Sequence, residues 1–577
     1  MRNIKIIFIS IIWLSTLPSH AQLREAAFKM NERLGRGINM GNCFEAPAET
    51  DWGNPWKPEY FRIMSNLGIK HVRIPIRWEP AARSSLAAPY TINPAFLARI
   101  KQVVDTALKY KLHAIINMHH HDSLIANPDK QKARFLSQWS QIAQYFKNYP
   151  DSLLFEVLNE PNGNLTAAKW NTFFSEALTE IRKSNPTRCV ILGLAEWGGL
   201  SGLNILQIPP DENLILTIHY YNPFKFTHQG AEWTGTESQS WLGTKWNDTE
   251  AERQTVENEF RYAMQFSQDQ HIPIHVGEFG AYSKAELASR VRWTTFLSRW
   301  FEQQKFSWAY WEFSAGFGIY NPATKQLLTP LVDALLHNPM PLPVPTEAIL
   351  LYKSNFTSGN DGWSVNFNQG AAGSWNRTGG KMNISVTNGG TESWYVQATH
   401  GGISLEKGKT YRITFTVKAA SNRTASVYAG KSSDPWTAYS DYSNFQITTA
   451  DATLSYTFTM NSASDSNARL AFDLGKSTTG LTIYDIKIEE IRIVTSSIEP
   501  MQNSLKWYPN PVGNELIVDN VLTRSPGMIY DLSGKMRLSL MLLPGQNRIK
   551  TGFLPAGIYL VRISEGRNTK NFSIIKQ

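Results

Sequence analysis

The spacing of apolar residues divides the chain into regions of different character. Between residues 34 and 336, short apolar runs alternate with longer stretches in which apolar residues recur at helical spacing. Residues 96–109 and 132–147 are two such predicted amphipathic helices. The eight apolar runs are predicted strands, at 35–39, 71–75, 113–117, 153–158, 190–194, 214–218, 274–276 and 307–311.

Eight strand–helix units in about 300 residues predict an α/β fold, a (β/α)8 TIM barrel. A doubly wound open sheet is the alternative. The barrel is favoured because no glycine-rich phosphate loop follows the first predicted strand.

The pattern changes after residue 348, where short runs of strictly alternating residues are separated by Gly, Asn and Ser turns. This alternation predicts an all-β sandwich over 349–494 and a small β-sandwich domain over 505–577. Proline-rich residues 338–348 and residues 495–504 are the predicted linkers. The barrel is therefore expected to span 22–337.

The first 21 residues have the features of a secretory signal peptide. Arg2 and Lys5 precede an apolar segment, and Ser19-His20-Ala21 supplies a small-x-small cleavage site. No later run of about 20 apolar residues occurs, so no integral membrane segment is expected.

Composition narrows the possible partners. Of the 577 residues 42% are hydrophobic and 18% charged, which is typical of globular domains. The net charge of +9 is spread along the chain without a Lys/Arg cluster, so no nucleic-acid partner is expected. The two cysteines, Cys43 and Cys189, are predicted at opposite ends of the barrel and therefore as free thiols. Two cysteines also supply too few ligands for a structural zinc site.

Two glutamates each follow an apolar strand at its carboxyl end, where barrel enzymes build their active sites. Glu160 follows the strand at 153–158, and Glu278 follows the strand at 274–276. A single glutamate at a strand end is more often solvated or a helix cap. The pair carries more weight because further polar and aromatic residues occupy the same predicted edge. They are Asn39, Asn42, Arg73, His119, His120, Asn159, Trp197, His219, Tyr221 and Trp311.

Two carboxyl groups that converge in a cleft suit the cleavage of a glycosidic bond, and the 19 tryptophans offer flat surfaces for sugar rings. Glu278, near Arg73 and Tyr221, is expected to be the ionised nucleophile, and Glu160 the proton donor. Asn159 would bind the sugar 2-hydroxyl, and Trp311 would stack on the ring. A covalent double displacement requires the carboxyl groups to lie about 5 Å apart.

Other chemistries have weaker support in the sequence. No serine-nucleophile motif is present. Three adjacent histidines, 119–121, cannot all face one ion, and no His-Glu-x-x-His motif occurs, so no metal site is expected.

Six motifs occur in order along the region from about 25 to 337, at 37–42 (GINMGN), 71–78 (HVRIPIRW), 159–161 (NEP), 219–221 (HYY), 277–280 (GEFG) and 308–312 (WAYWE). Through these motifs the region resembles glycoside hydrolase family 5, most closely its bacterial endoglucanases. This resemblance implies a retaining mechanism without metal or organic cofactor, with Glu160 as acid/base and Glu278 as nucleophile. Arg73, His119, Asn159, His219, Tyr221 and Trp311 match other active-centre positions, and Asn42, Glu45 and His120 match positions that contact substrate.

The resemblance implies a secreted endo-β-1,4-glucanase that acts on polysaccharide. An endo-β-1,4-mannanase, a glucomannanase or a xyloglucanase with the same catalytic pair is the alternative. A catalytically silent glycan-binding protein is the alternative from a different class, and the presence of both glutamates argues against it.

The two downstream domains also resemble known families. Residues 349–494 resemble carbohydrate-binding modules of families 4 and 9, with Trp363 expected in the core and Trp375, Trp394, Trp436 and Tyr439 as candidate sugar platforms. Residues 505–577 resemble the type A sorting domain of the type 9 secretion system, through 507–512 (WYPNPV), 530–535 (YDLSGK) and 554–559 (LPAGIY). The second resemblance implies export through the periplasm to the cell surface or the medium, with the secretion machinery as partner. We expect the chain to be a monomer.

Overall fold

A computed structural model describes residues 24–357, 361–440, 442–494, 505–521, 524–532, 535–565 and 568–577. The predicted signal peptide (1–21) and the predicted second linker (495–504) lie outside the described residues. The chain divides into two compact units, one ending at Val494 and one formed by the carboxyl-terminal segment.

The first part of the larger unit is a closed barrel of eight parallel strands, which confirms the predicted fold class. Each strand overlaps its predicted run, with ends that differ by up to three residues. The barrel strands are β1 Arg36–Asn39, β2 His71–Ile74, β3 His113–Asn117, β4 Leu153–Glu156, β5 Val190–Leu192, β6 Leu214–His219, β7 Ile274–Phe279 and β8 Ser307–Tyr310.

Helices surround the barrel, and several begin at caps that the sequence supplies. Asn93 accepts a hydrogen bond from the Ala95 amide before a helix that opens with proline, and Thr249 and Glu252 form a capping box. The helices are α1 Glu25–Leu34, α2 Pro58–Asn66, α3 Pro94–Lys109, α4 Asp122–Ala126, α5 Pro128–Tyr145, α6 Ala167–Arg182, α7 Phe224–Thr227, α8 Glu250–Gln270, α9 Leu287–Gln303 and α10 Thr329–Leu336. A two-stranded ribbon, β9 Tyr320–Asn321 and β10 Gln326–Leu327, precedes α10.

The amino-terminal end of the barrel is closed by α1, a helix that the sequence analysis did not predict. Its apolar face packs on inward-pointing strand residues, which form a cluster separate from the core between strands and helices. The members of this cluster are Ala27, Met30, Leu34, Ile115, Leu154, Cys189, Ile191 and Ile215. With this end closed by apolar packing, the polar interior residues lie toward the carboxyl end.

A β-bulge in β7 turns Glu278 into the barrel. The pairing with β6 shifts between Ile218 and His219, and the pairing with β8 shifts between Val276 and Phe279. Without this extra residue Glu278 would share the outward face of Val276, because side chains alternate along a strand. A Cβ on Gly277 would lie 2.5 Å from Thr217 Oγ1, so the close approach of the bulge requires glycine.

Residues 346–493 form the predicted β-sandwich. One sheet has the order β13-β14-β21-β16-β19, with β11 paired to β21, and the other has the order β12-β15-β20-β17-β18. The strands are β11 Thr346–Ser354, β12 Trp363–Phe367, β13 Ala372–Arg377, β14 Met382–Asn388, β15 Val396–Leu405, β16 Thr410–Ala419, β17 Arg423–Lys431, β18 Ser443–Ile447, β19 Ala452–Thr459, β20 Asp465–Asp473 and β21 Leu481–Ile493.

The sandwich packs directly on the barrel along α8. Asn258 donates to the Ser455 carbonyl (3.2 Å), and the Thr457 hydroxyl donates to the Ala251 carbonyl (3.1 Å). The predicted linker 338–348 is part of this packing, since the Val344 amide donates to the Asp248 carbonyl and β11 already begins at Thr346. The proline-rich stretch therefore joins two packed bodies.

The carboxyl-terminal unit is a small all-β domain with one three-stranded and one four-stranded sheet. Its core includes Leu516, Val518, Ile529, Val561 and Ile574. The strands are β22 Lys506–Tyr508, β23 Glu515–Val521, β24 Ser525–Asp531, β25 Met536–Leu542, β26 Gly545–Lys550, β27 Gly557–Glu565 and β28 Asn568–Lys576.

Both cysteines are free, as predicted, and the structure also shows both to be buried. Cys43 lies in the main barrel core and Cys189 in the cluster under α1.

Candidate active site

A cleft of about 1070 Å³ opens at the carboxyl end of the barrel strands. Its walls come from the loops after β1, β2, β3, β4, β6, β7 and β8, and they combine charged groups, histidines and aromatic rings. The cleft is lined by Asn42, Glu45, Trp52, Arg77, His119, His120, Asp122, Asn159, Glu160, Tyr221, His228, Trp233, Glu278, Tyr282, Trp311, Gly316 and Phe317.

Arg73 organises the floor of this cleft. The side chain is fully buried, and all five N–H donors of its guanidinium have an acceptor. Nε and Nη2 donate to the two Glu156 oxygens, both at 2.6 Å, and Nη2 also donates to Asn159 Oδ1 at 2.6 Å. Nη1 donates to Glu278 Oε1 at 2.7 Å and to Asn39 Oδ1 at 2.8 Å. One cation thus fixes residues from β1, β4 and β7.

The two predicted carboxyl groups face each other across the cleft floor. Carboxylate oxygens of Glu160 and Glu278 and a ring nitrogen of His219 all lie within 4.8 Å of one another. Tyr221 donates its hydroxyl hydrogen to Glu278 Oε2 (2.9 Å), and His219 Nδ1 lies 2.7 Å from Glu160 Oε1. Glu160 has the more exposed side chain, 27% against 6% for Glu278. The spacing agrees with the predicted separation of about 5 Å.

The charged groups determine the protonation of their neighbours. Burial lowers the pKa of His219, but the carboxylates of Glu278 and Glu160 outweigh burial and raise that pKa above its ordinary value. Burial, with the Glu278 charge, raises the pKa of Tyr221 well above 10, so the phenol keeps its hydrogen. Burial also lowers the pKa of His119 well below its ordinary value, and this ring is neutral.

The same three groups are a possible cation site. Glu160, His219 and Glu278 form the one grouping with metal-ligand spacing found among the described residues. Each of them already has a protein partner in Arg73, Tyr221 or the His219–Glu160 pair. Of the three adjacent histidines, His119 and His120 line the cleft, whereas His121 is buried 3.6 Å from Glu79.

Aromatic residues shape the cleft walls. Trp311 stacks on His119 with ring centroids 5.6 Å apart, and the rings of Trp52 and His120 meet in a T-shaped arrangement with centroids 6.0 Å apart. Trp197, on the loop after β5, is 59% exposed and lines a smaller recess beside Glu160. Most of the ring surface of Trp197 is therefore free for a ligand.

Buried carboxylates brace the loops that carry these rings. Glu45 accepts hydrogen bonds from the amides of Asn42 and Cys43, and burial raises its pKa to about 8. Glu312 accepts from the amides of Ser314, Ala315 and Phe317. Glu45 is only 1% exposed, so most of its carboxyl group is engaged in holding the loop after β1.

The structure brings all twelve predicted site residues to one end of the barrel, with Arg73 beneath the cleft floor and Trp197 in the adjoining recess. Sequence reasoning missed Glu156 and several residues of the cleft walls. Trp52 and Trp233 could have been found from the sequence, because each is a tryptophan among turn-forming residues. Both are exposed in the structure. The other wall residues missed are Arg77, Asp122, His228, Tyr282, Gly316 and Phe317.

The predicted sugar platforms of the sandwich differ in exposure. Trp394 and Trp436 are exposed, Trp375 is half-buried against the core, and Trp363 is buried as predicted. The prediction for Tyr439 is wrong, because this residue is buried and faces the barrel. Its hydroxyl donates to Asp465 (2.7 Å), and its carbonyl accepts from Lys225 (3.1 Å).

Comparison with known proteins agrees with this geometry. Residues 36–316 match the family model described as cellulase, glycosyl hydrolase family 5. Crystallised Cel5A of Thermotoga maritima is 47% identical, with a TM-score of 0.52, and the match covers 99% of that chain and 54% of this one. The chain belongs to glycosyl hydrolase family 5.

Two further relatives differ from this chain in length. Endoglucanase H of Acetivibrio thermocellus is 37% identical over 332 residues, which cover 56% of this chain and 35% of that protein. The cellulase/esterase CelE of the same organism is 29% identical, and the match covers 37% of its length. The chain thus spans about a third of the length of these two relatives.

The regions after the family 5 barrel match family models of their own. Residues 348–479 match a carbohydrate-binding domain, and residues 506–577 match a secretion system C-terminal sorting domain. The sorting domain indicates secretion or a location at the cell surface. Within the described part of the chain, every helix is too short or too polar to cross a membrane.

Proposed function

We propose that the chain is a secreted, retaining endo-β-1,4-glucanase with Glu278 as nucleophile and Glu160 as acid/base. The spacing of the two carboxyl groups carries this proposal. Their facing oxygens lie within 4.8 Å in an open cleft. Retaining glycosidases hold their carboxyl groups about 5–5.5 Å apart, whereas inverting enzymes need about 6.5–9.5 Å to admit a water molecule.

In the first step, a Glu278 oxygen bonds to the anomeric carbon while the bond from that carbon to the leaving oxygen breaks. Glu160 gives its proton to the leaving oxygen. Arg73 and Tyr221, which donate to the two Glu278 oxygens, hold this carboxylate in position. His219 Nδ1, 2.7 Å from Glu160 Oε1, holds the Glu160 carboxyl group in position.

In the second step, a water oxygen bonds to the anomeric carbon and the ester bond to Glu278 breaks. Glu160, now ionised, takes the proton from this water. The greater exposure of Glu160 supports this role, since water must reach it. The configuration at the anomeric carbon is retained because it inverts twice.

An internal bond of a β-1,4-glucan is the favoured substrate. Trp52, Trp311, Trp233 and Tyr282 extend along the cleft and offer surfaces for successive sugar rings. The relatives named above as endoglucanases support a glucan. A β-1,4-mannan or glucomannan is the second candidate, because Thermotoga maritima Cel5A was crystallised with mannotriose as well as with cellobiose.

The test is the hydrolysis of carboxymethyl cellulose, mixed-linkage β-glucan, glucomannan, xyloglucan and galactomannan. The Glu160→Ala and Glu278→Ala variants should each lose nearly all turnover on the best polymer while the barrel stays folded. Glu212→Gln is the matched control, because Glu212 is exposed on the loop before β6 and outside the cleft. Near-normal turnover by either catalytic-site variant would refute the assignment.

The downstream domains extend the proposal. Trp394 and Trp436 are the favoured sugar platforms of the sandwich, because each is about half exposed. The terminal domain would direct export through the periplasm and be recognised by the type 9 secretion machinery at the outer membrane. Intact-mass analysis of secreted protein checks the second point, since removal of the terminal domain shortens the chain by roughly 75 residues.

A further inference from the structure

Glu156 lies beneath the facing carboxyl groups and has no part in the reaction steps proposed above. It is fully buried in β4, and its two oxygens accept hydrogen bonds from Arg73 Nε and Nη2, both at 2.6 Å. Asn117 donates a longer hydrogen bond to Oε1 at 3.3 Å. Through Nη1 the same guanidinium binds Glu278, so one cation is shared between two buried carboxylates.

We propose that Glu156 is a positioning residue that neutralises Arg73, so that Glu278 stays reactive and Arg73 keeps a counter-ion after Glu278 is esterified. The inference rests on the proposed retaining mechanism. Glu156 itself does not touch the reacting atoms, and it acts through Arg73.

The charge balance of this group explains the need for a second carboxylate. Before attack, one guanidinium is paired with two carboxylates. After attack Glu278 is a neutral ester, and Arg73 with Glu156 remains as a neutral pair. With glutamine at 156, the same step would leave a buried cation without a counter-ion, which is strongly unfavourable in a protein interior.

In the described part of the chain, the histidines and the tyrosine around Arg73 do not replace this negative charge. His119 on the β3 side and His275 on β7 have their pKa values lowered by burial and are neutral. Burial and the Glu278 charge raise the pKa of Tyr221, which therefore stays neutral as well. His219 on β6, whose pKa is raised above its ordinary value, can carry only a positive charge, and its partner is Glu160.

The test compares wild type with Glu156→Gln on aryl β-cellobiosides, by steady-state and burst kinetics over a range of pH. We expect kcat/KM to fall about 10²-fold, the size of losing one preorganised electrostatic contact at a reacting group. The acid limb of the kcat/KM profile should move to lower pH, because an unneutralised Arg73 stabilises ionised Glu278. The burst of released aryl alcohol should disappear, because formation of the glycosyl-enzyme becomes the slow step.

Two further variants separate charge from structure. Glu156→Asp keeps the charge on a shorter side chain, so it should lose rate but retain the wild-type acid limb. Glu302→Gln is the control, because Glu302 forms a similar two-point pair with Arg36 at the other end of the barrel. It should change neither the rate nor the pH profile.

The outcomes distinguish this inference from the proposed function. A wild-type chain that forms no covalent glycosyl-enzyme overturns both. If wild type forms the intermediate and Glu156→Gln keeps the same acid limb and burst, the inference alone is overturned. If Glu156→Gln does not fold, the Asp variant decides, since a displaced acid limb in a variant that keeps the charge contradicts the proposed role.

Discussion

Replacement of Arg73 by lysine tests how the cleft floor is held together. The guanidinium satisfies acceptors on Glu156, Glu278, Asn159 and Asn39 with five hydrogen bonds of 2.6–2.8 Å. A lysine ammonium keeps the charge but has only three donors, so at least two buried acceptors lose their partner. Each such loss costs about 1–3 kcal/mol, and more for a carboxylate, so we expect about 2–6 kcal/mol of lost stability.

The activity of Arg73→Lys should fall as well, because Glu278 and Asn159 are no longer fixed by one planar group. If the transition state loses about 3–5 kcal/mol of stabilisation, kcat/KM falls roughly 10²–10⁴-fold. Denaturant unfolding and initial rates on carboxymethyl cellulose measure the two effects. Arg36→Lys is the matched control, since Arg36 binds Glu302 and the Leu336 carbonyl far from the cleft. A kcat/KM within threefold of wild type in Arg73→Lys would refute the reasoning.

Three other predictions test separate parts of the account. Gly277→Ala should lower kcat/KM by at least about tenfold, because its Cβ would press on Thr217 Oγ1 at 2.5 Å, and adding Thr217→Ala should restore part of the loss. Burial lowers the pKa of His71 to about 3, so the unfolded chain binds a proton between pH 6.5 and 3 that the folded chain does not. The stability from this residue is present above pH 6.5 and is lost as pH falls, by up to about 1.4 kcal/mol per pH unit. The free energy of unfolding in urea should therefore differ less between pH 7.5 and 5.5 for His71→Gln than for wild type. The double variant Trp394→Ala, Trp436→Ala should elute earlier from a cellulose column than wild type, because these two rings are exposed. Its rate of hydrolysis of a short soluble oligosaccharide should be unchanged. Equal retention on the column would show that the two rings have no role in cellulose binding.

The barrel could be predicted because each parallel strand is covered by helices and therefore forms a continuous apolar run. The run at 153–158 located β4, and Asn159 and Glu160 at its end followed from the barrel architecture. Glu156 was missed within that same run. One face of a barrel strand points inward, and a carboxylate is stable there only because Arg73 from β2 meets it, a contact that spacing along the chain does not reveal.

Other features depended on tertiary contacts that a periodic pattern cannot specify. Glu278 faces the cleft through a bulge, whereas simple alternation from Val276 would turn it outward. Tyr439 lies in a segment whose sequence is typical of a surface turn. It is buried because the sandwich packs on the barrel at this position. The helix α1 closes the barrel floor by packing against inward residues of four strands, which the pattern of the helix alone does not indicate.

Covalent trapping would identify the nucleophile of the proposed double displacement. A 2-deoxy-2-fluoro β-cellobioside with a good leaving group slows both steps but allows the ester to accumulate, and mass spectrometry of the digested protein locates the sugar. We expect one fluorosugar per chain, attached to Glu278, with full loss of activity and slow recovery on incubation in buffer. A sugar attached to Glu160, or complete turnover without any labelled peptide, would contradict this expectation.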